Sequence, residues 1–156
     1  MLEMLRNWLG VCGAAVASAA SAVARRGRRP APFAYVIDDE VGICDFVSDI
    51  LATLDVESLA FHTAKEAIAC LDRRTPAVIF LDVALLQSDA IDVVNGLGRM
   101  GYRGIVHLMS GGNPSLVEAV QRIGTRQGVT FGPPLPKPVR RDAIIAAIES
   151  LRTKSR

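Results

Sequence analysis

Five polar residues stand where the chain leaves an apolar run, and their types fit one chemistry. Asp38 and Asp39 follow FAYVI, Asp82 follows AVIFL, Ser110 follows GIVHLM, and Lys137 comes after VTF and a proline-rich stretch. Carboxylates gathered from two adjacent strand ends repel each other unless a divalent cation lies among them, and an all-oxygen ligand set suits magnesium. Asp82 then takes the place of a nucleophile. A carboxylate is a weak one, but phosphoryl transfer depends on positioning and charge neutralisation more than on a strong push. Lys137 offers a point charge to the phosphoryl oxygens, and the Ser110 hydroxyl offers a hydrogen bond. Gly111 and Gly112, directly after Ser110, permit close backbone approach.

These residues can act together only if the fold gathers them. From Phe33 onward, short apolar runs alternate with helical periodicity, the pattern of a parallel sheet covered by helices. FAYVI (33–37), VESLAF (56–61), AVIFL (77–81), GIVHLM (104–109) and VTF (129–131) read as strands. Ile43, Val47, Ile50 and Leu54 mark a first helix. A capping box of Thr63 and Glu66 opens a second, running through Leu71. Ile91, Val94, Leu97 and Met100 give a third, ended by Gly101. Asn113 as cap with Pro114 in the first turn starts a fourth through Leu116, Val120 and Ile123. Val139, Ala143, Ile144, Ala147, Ile148 and Leu151 mark the last. Five strands and five helices alternate strictly. Ligands of an open parallel sheet bind beyond the carboxyl ends of its strands, where the five polar residues fall.

Half of the 156 residues are apolar and 22% are charged, so a packed core is expected and global disorder is not. The length suits one domain with an appendage. Five arginines and a single acid, Glu3, precede Phe33, which leaves 13 basic and 15 acidic residues after it. The positive charge therefore belongs to the leader, and the domain itself is not expected to bind nucleic acid. Within the leader (1–32), Trp8 to Ala24 is uncharged and Ala-rich, followed by RRGRRPAP. As a helix it reaches about 25 Å, short of the ~30 Å hydrocarbon core. It reads as a mobile or partly helical leader. A weak membrane anchor with its arginines on the cytoplasmic side is the second reading, and a cleaved secretory signal the third. Cys12, Cys44 and Cys70 are odd in number and lack CxxC spacing, which fits a reducing, cytoplasmic setting; Cys44 and Cys70 read as small buried thiols.

VIDDE, FLD, MSG and PKP, in this order and on these strand ends, resemble the four marks of response-regulator receiver domains of two-component signalling, over Phe33 to Leu151. The resemblance implies a flavodoxin-like or CheY-like three-layer sandwich, α/β and doubly wound, with strand order 2-1-3-4-5, spanning 33–152 and followed by a basic tail, 153–156. It implies Asp38 and Asp39 as magnesium-binding acids, Asp82 as phosphoacceptor and metal ligand, the Ala84 carbonyl as a further ligand, Ser110 as the hydroxyl switch residue and Lys137 as the conserved lysine. The phosphodonor would be a phosphohistidine of a sensor histidine kinase or a histidine phosphotransfer protein. The domain would assist its own phosphorylation and dephosphorylation without being an enzyme in the ordinary sense. No effector domain is expected, so output falls to a downstream protein, to onward phosphotransfer or to a self-dimer, through the face of the fourth helix, fifth strand and fifth helix.

Departures from the pattern support an alternative, a degenerate receiver that binds partners without phosphorylation. Leu86 and Ala90 stand where the family usually has Pro and Gly. Pro134 takes the position of the usual switch aromatic, three before Lys137, and Phe131 lies too far back to replace it. VTFGPPLP makes the Ser110 to Lys137 interval long, as in receivers that precede cyclic-di-GMP phosphodiesterase domains. A haloacid dehalogenase-type hydrolase is excluded by Ala84, which occupies the place of its acid-base Asp, and a P-loop protein by the lack of GxxxxGK[ST]. Glu40 reads as a helix N-terminal acid; His62 and His107 read as bonded locally.

Overall fold

All five residues of FAYVI are buried, as in a central strand covered on both faces. In the computed structural model this run is β1 (Phe33–Ile37), followed by α1 (Val41–Thr53), β2 (Glu57–Phe61), α2 (Ala64–Leu71), β3 (Val78–Asp82) and α3 (Asp89–Arg99). Then come β4 (Ile105–Ser110), α4 (Pro114–Arg126), β5 (Thr130–Phe131), β6 (Leu135–Pro136) and α5 (Arg141–Lys154). The structure describes residues 32–85 and 89–154, Asp89 by its backbone alone. The readings of the leader through residue 31, and the expectation attached to Leu86, lie outside the described residues. Among the described residues no helix is long and apolar enough to cross a membrane.

The sheet is parallel with the expected order, β2-β1-β3-β4-β5. Its far edge differs from expectation. Instead of one fifth strand over Val129–Phe131, two short pieces flank a bulge: Val106 pairs with Phe131, and pairing resumes with Met109 opposite Leu135. Three residues, Gly132 to Pro134, thus face two on β4, His107 and Leu108. The cause is chemical. Gly132 donates its N–H to the Val106 carbonyl at 2.9 Å, whereas Pro133 and Pro134 have no N–H for the ladder.

Alternation along each strand divides the core in two. Ala34, Val36, Phe80 and Met109 face α1 and α5, where Cys44, Val47, Leu51, Ile144 and Ile148 are buried. Tyr35, Ile37, Ile79 and Leu81 face α2, α3 and α4, where Ala67, Val94, Leu97 and Val120 are buried. Truncating one such large side chain to Ala costs ~2–5 kcal/mol, so the strand ends are held by a stiff platform.

The apolar stripes on the helices sit slightly off the predicted ones. On α1 the buried residues are Cys44, Val47, Ile50 and Leu51, with Ile43 and Leu54 at the margin. Met100 lies past the end of α3 and is 37% exposed, while Ala90 and Val93 are buried in its stead. On α4 the seam runs through Val117, Val120 and Gly124. Gly124 is required there, because a Cβ would overlap Phe131 and Val94. Phe131 is thereby committed to the seam between α3 and α4. Caps follow the sequence with one correction. Asn113 Oδ1 accepts from Leu116 N–H at 3.1 Å, and Thr63 Oγ1 from Glu66 N–H at 3.3 Å. The Glu66 carboxylate, however, reaches the N–H of His62 at 3.4 Å instead of closing the box on Thr63.

Candidate functional site

The sheet order reverses between β1 and β3, and the loops leaving these strands diverge there, opening a crevice at their carboxyl ends. Asp38 follows β1 and is fully buried; Asp82 ends β3 and is 2% exposed; Asp39 is exposed. Oxygens of these three carboxylates lie within 4.8 Å of one another. Two backbone N–H groups orient the buried pair: Glu40 donates to Asp38 Oδ1 at 2.9 Å, and Ala84 to Asp82 Oδ1 at 3.1 Å.

Lys137 reaches into this cluster from the opposite edge. Its Nζ lies 2.8 Å from Asp38 Oδ2, 3.4 Å from Asp82 Oδ1 and 3.5 Å from Glu40 Oε1. Its backbone is tied to the sheet, since its N–H donates to the Ser110 carbonyl at 2.7 Å. Ser110 ends β4 and is buried; its Oγ accepts long bonds of 3.4 Å from the N–H groups of Gly112 and Asn113. All the predicted side chains thus come from the carboxyl ends of β1, β3, β4 and β6. Asp38, Asp39, Asp82 and Lys137 share one cluster, and Ser110 joins it through the backbone of Lys137.

The electrostatics are out of balance. Burial pushes the Asp38 carboxyl above its ordinary value; Lys137 and the Glu40 N–H pull it down, and the Asp82 charge adds to the rise. For Lys137 burial acts downward, but the bond to Asp38 and the charges of Asp82 and Asp38 outweigh it, so its pKa is raised. Oδ2 of the fully buried Asp38 meets Lys137 Nζ at 2.8 Å as an ion pair. One lysine among the gathered carboxylates of Asp38, Asp39 and Asp82 leaves an all-oxygen donor set that fits a hard divalent cation such as magnesium. The Ala84 carbonyl belongs to the same loop, whose backbone Asp82 already fixes.

Two features escaped the sequence reading. Glu40 does occupy the position before α1, but makes no side-chain cap bond and leans toward Lys137 instead. His62 and Cys44 back the site: His62 Nδ1 lies 3.1 Å from the Asp38 carbonyl, to which the Cys44 thiol donates at 3.3 Å. His62 is bonded locally and Cys44 is a small buried thiol, as each was read, and burial pushes the Cys44 thiol up to about 11. Cys70 is only half-buried. The signal for Glu40 was present in its place directly after Asp38 and Asp39.

Solved structures share this arrangement of elements. NtrX from Brucella abortus, solved with ADP and with ATP, superposes with a TM-score of 0.69 at 27% identity, over 80% of this chain and 28% of that one. The receiver domain of the Francisella response regulator 1452 gives 0.64 at 20% identity, over 80% of this chain and 99% of that one. A response regulator from Colwellia psychrerythraea gives 0.66 at 19%, over 79% and 98%. The chain has the fold of a response-regulator receiver domain. It spans about a quarter of the length of NtrX, and nearly all of the two shorter proteins. Comparison with protein-family models found no match, and comparison with curated proteins found none.

Against the receiver pattern, Ala90 is buried in the first turn of α3, where a side chain larger than Gly is accommodated in the core. Pro134 is exposed and lines a groove of about 350 Å³ with Ser110, Pro114, Val117 and Pro136. Pro134 therefore presents a rigid ring at the rim of a groove beside Ser110.

Proposed function

We propose that this receiver accepts a phosphoryl group on Asp82 from a phosphohistidine of a sensor kinase or phosphotransfer protein, and signals by the rearrangement that follows. The observation that carries the reading is the buried Asp38–Asp82 pair at the switch point of the sheet, bridged by Lys137 and joined by Asp39 in one cluster of carboxylate oxygens. A free Asp82 oxygen attacks phosphorus, the phosphorus–nitrogen bond breaks, and the imidazole leaves with a proton from water, giving an acyl phosphate. Lys137 Nζ, which already spans both acids, exchanges a carboxylate for a phosphoryl oxygen. The Ala84 N–H holds Asp82 Oδ1 in place during attack. Asp38, Asp39, Asp82 and the Ala84 carbonyl would hold magnesium, which supplies positive charge to the phosphoryl oxygens when bound.

Signalling follows from the same geometry. Ser110 Oγ now accepts weak bonds from its own loop, so a phosphoryl oxygen on Asp82 offers its hydroxyl a stronger, charge-assisted partner. Drawing Ser110 inward pulls on β6 through the Lys137 N–H and repacks the face of α4, β5–β6 and α5. The partner on that face is a downstream protein or a second copy, and the setting is the cytoplasm, with its kinases.

Incubation with a small-molecule phosphodonor and magnesium, followed by intact mass, is the direct test. Wild type is expected to gain one phosphoryl group and Asp82→Asn none. Amide shifts over Leu116 to Ile148 are expected to move in the phosphorylated form; unmoved shifts would overturn the proposed output face. Pro134 in place of an aromatic favours a second reading, an interaction module that is never phosphorylated. No mass gain in the wild type, with magnesium bound, would select it.

A further inference from the structure

His107 sits in the middle of β4 between apolar neighbours, Val106 and Leu108, and phosphoryl acceptance at Asp82 leaves it without a role. Its ring is buried and stacked on Phe80, with centroids 5.7 Å apart and planes at 21°. Nδ1 lies 3.0 Å from the Pro133 carbonyl. A carbonyl only accepts, so Nδ1 carries the proton and Nε2 is the basic nitrogen. Gly132 lies over the ring so closely that a Cβ would overlap it. The bulge is therefore built around the imidazole: Gly132 admits the ring and Pro133 takes its N–H. Immediately beyond, Leu135 and Pro136 pair with Met109 and Ser110, and Lys137 donates its N–H to Ser110.

We propose that His107 is a positioning residue, whose neutral ring pins the Gly132–Pro134 bulge and so holds Ser110 and Lys137 at the acceptor site, and whose protonation releases them. The role rests on the reading of Asp82 as phosphoacceptor; the contact itself does not. The ring is enclosed by Phe80 from β3 and by the bulge, and the charged group facing it is Lys154 of α5, another cation. Burial and Lys154 act against the charged form more than the Pro133 carbonyl favours it, so the imidazole titrates below its ordinary 6.5. The closed bulge binds fewer protons than the open one. Its stability is complete above 6.5 and is lost as pH falls through the depressed value.

Amide hydrogen exchange of the full chain, expressed as protection factors, reads this directly. Measured one unit above and one unit below the ordinary histidine value, wild-type protection at Gly132 and Lys137 is expected to fall about five-fold, the ratio for ~1 kcal/mol. Val36, in the centre of β1, serves as reference and stays constant. His107→Asn, which keeps an N–H donor near Nδ1 but does not titrate, is expected to remove the pH dependence and retain protection. His107→Phe, which keeps a ring against Phe80 without the donor, is expected to lose protection at both pH values. Equal wild-type protection at both pH values overturns the proposal, and so does wild-type protection in His107→Phe. If that variant fails to fold, wild type and His107→Asn decide. Intact mass after phosphodonor treatment in the same buffers separates the two readings: acceptance with unchanged protection overturns the His107 role alone, whereas pH-dependent protection without acceptance overturns the Asp82 reading alone.

Discussion

Two carboxylate–cation contacts lie at opposite ends of the sheet, and they are built on opposite principles. At the amino-terminal edge, Arg74 makes two 2.9 Å bonds to Glu57. Its guanidinium stacks 3.8 Å over Phe33, and the Tyr35 hydroxyl donates to its carbonyl at 3.1 Å. One acid meets one base, every partner is matched, and the bond from Arg74 holds the Glu57 carboxyl below its ordinary value. At the carboxyl end, one lysine is shared among Asp38, Asp82 and Glu40, and burial pushes Asp38 up. The clamp is matched in the resting protein, while the site keeps a deficit of positive charge that a cation and a lysine can meet together. Unmet electrostatics at the end of a rigid sheet distinguish a site from a structural ion pair.

The largest break in this contrast is removal of the acceptor. Asp82→Asn is expected to abolish acyl phosphate formation, read by intact mass. Lys137→Met leaves the acids in place without their shared cation. Phosphorylation by the small-molecule donor is expected to slow on the order of 10²-fold, measured as the rate of mass gain at saturating magnesium. Asp38→Asn relieves a buried charge. Chemical denaturation without magnesium is expected to show a gain of about 1 kcal/mol, while calorimetry shows weakened magnesium binding. Glu57→Gln, on a half-exposed pair, is expected to cost at most about 1 kcal/mol by denaturation.

Acid titration sharpens the comparison, because the two regions respond with opposite sign. The raised Asp38 carboxyl takes up a proton more readily in the folded chain, so its penalty is absent below 3.8 and grows as pH rises through its folded value. The lowered Glu57 carboxyl stabilises the fold above 4.5, and that contribution is lost as pH falls through its folded value. In metal-free buffer, the stability difference between wild type and Asp38→Asn is therefore expected to widen with rising pH, and that between wild type and Glu57→Gln to narrow with falling pH. Differences independent of pH would break the comparison.

Much of this is legible in the sequence. Strands such as FAYVI and AVIFL were readable because strands buried on both faces must be apolar throughout, and the caps at Thr63 and Asn113 because their side chains bond only a few residues away. Asp38, Asp39, Asp82 and Ser110 were readable because they follow strands whose ends parallel topology brings together, whereas Lys137 stands beyond the fifth strand read over Val129–Phe131 and is carried to the same end by β6, which the sequence did not announce. The places where the reading drifted depend on distant neighbours. Met100 satisfied the helical period but lies beyond the helix, and Gly124 faces the core because Phe131, from another element, needs the room.

By itself the sequence determined the alternation of elements, the parallel sheet and the identity of the acids, since these follow from local periodicity and the chemistry of side chains at strand ends. Only the tertiary structure decided how charge is shared among Asp38, Asp82, Glu40 and Lys137, because that depends on distances across three strands and on burial. It also decided that the GPP segment bulges over His107. Two prolines announce a break in a ladder, but which ring the break encloses is set by the strand beside it.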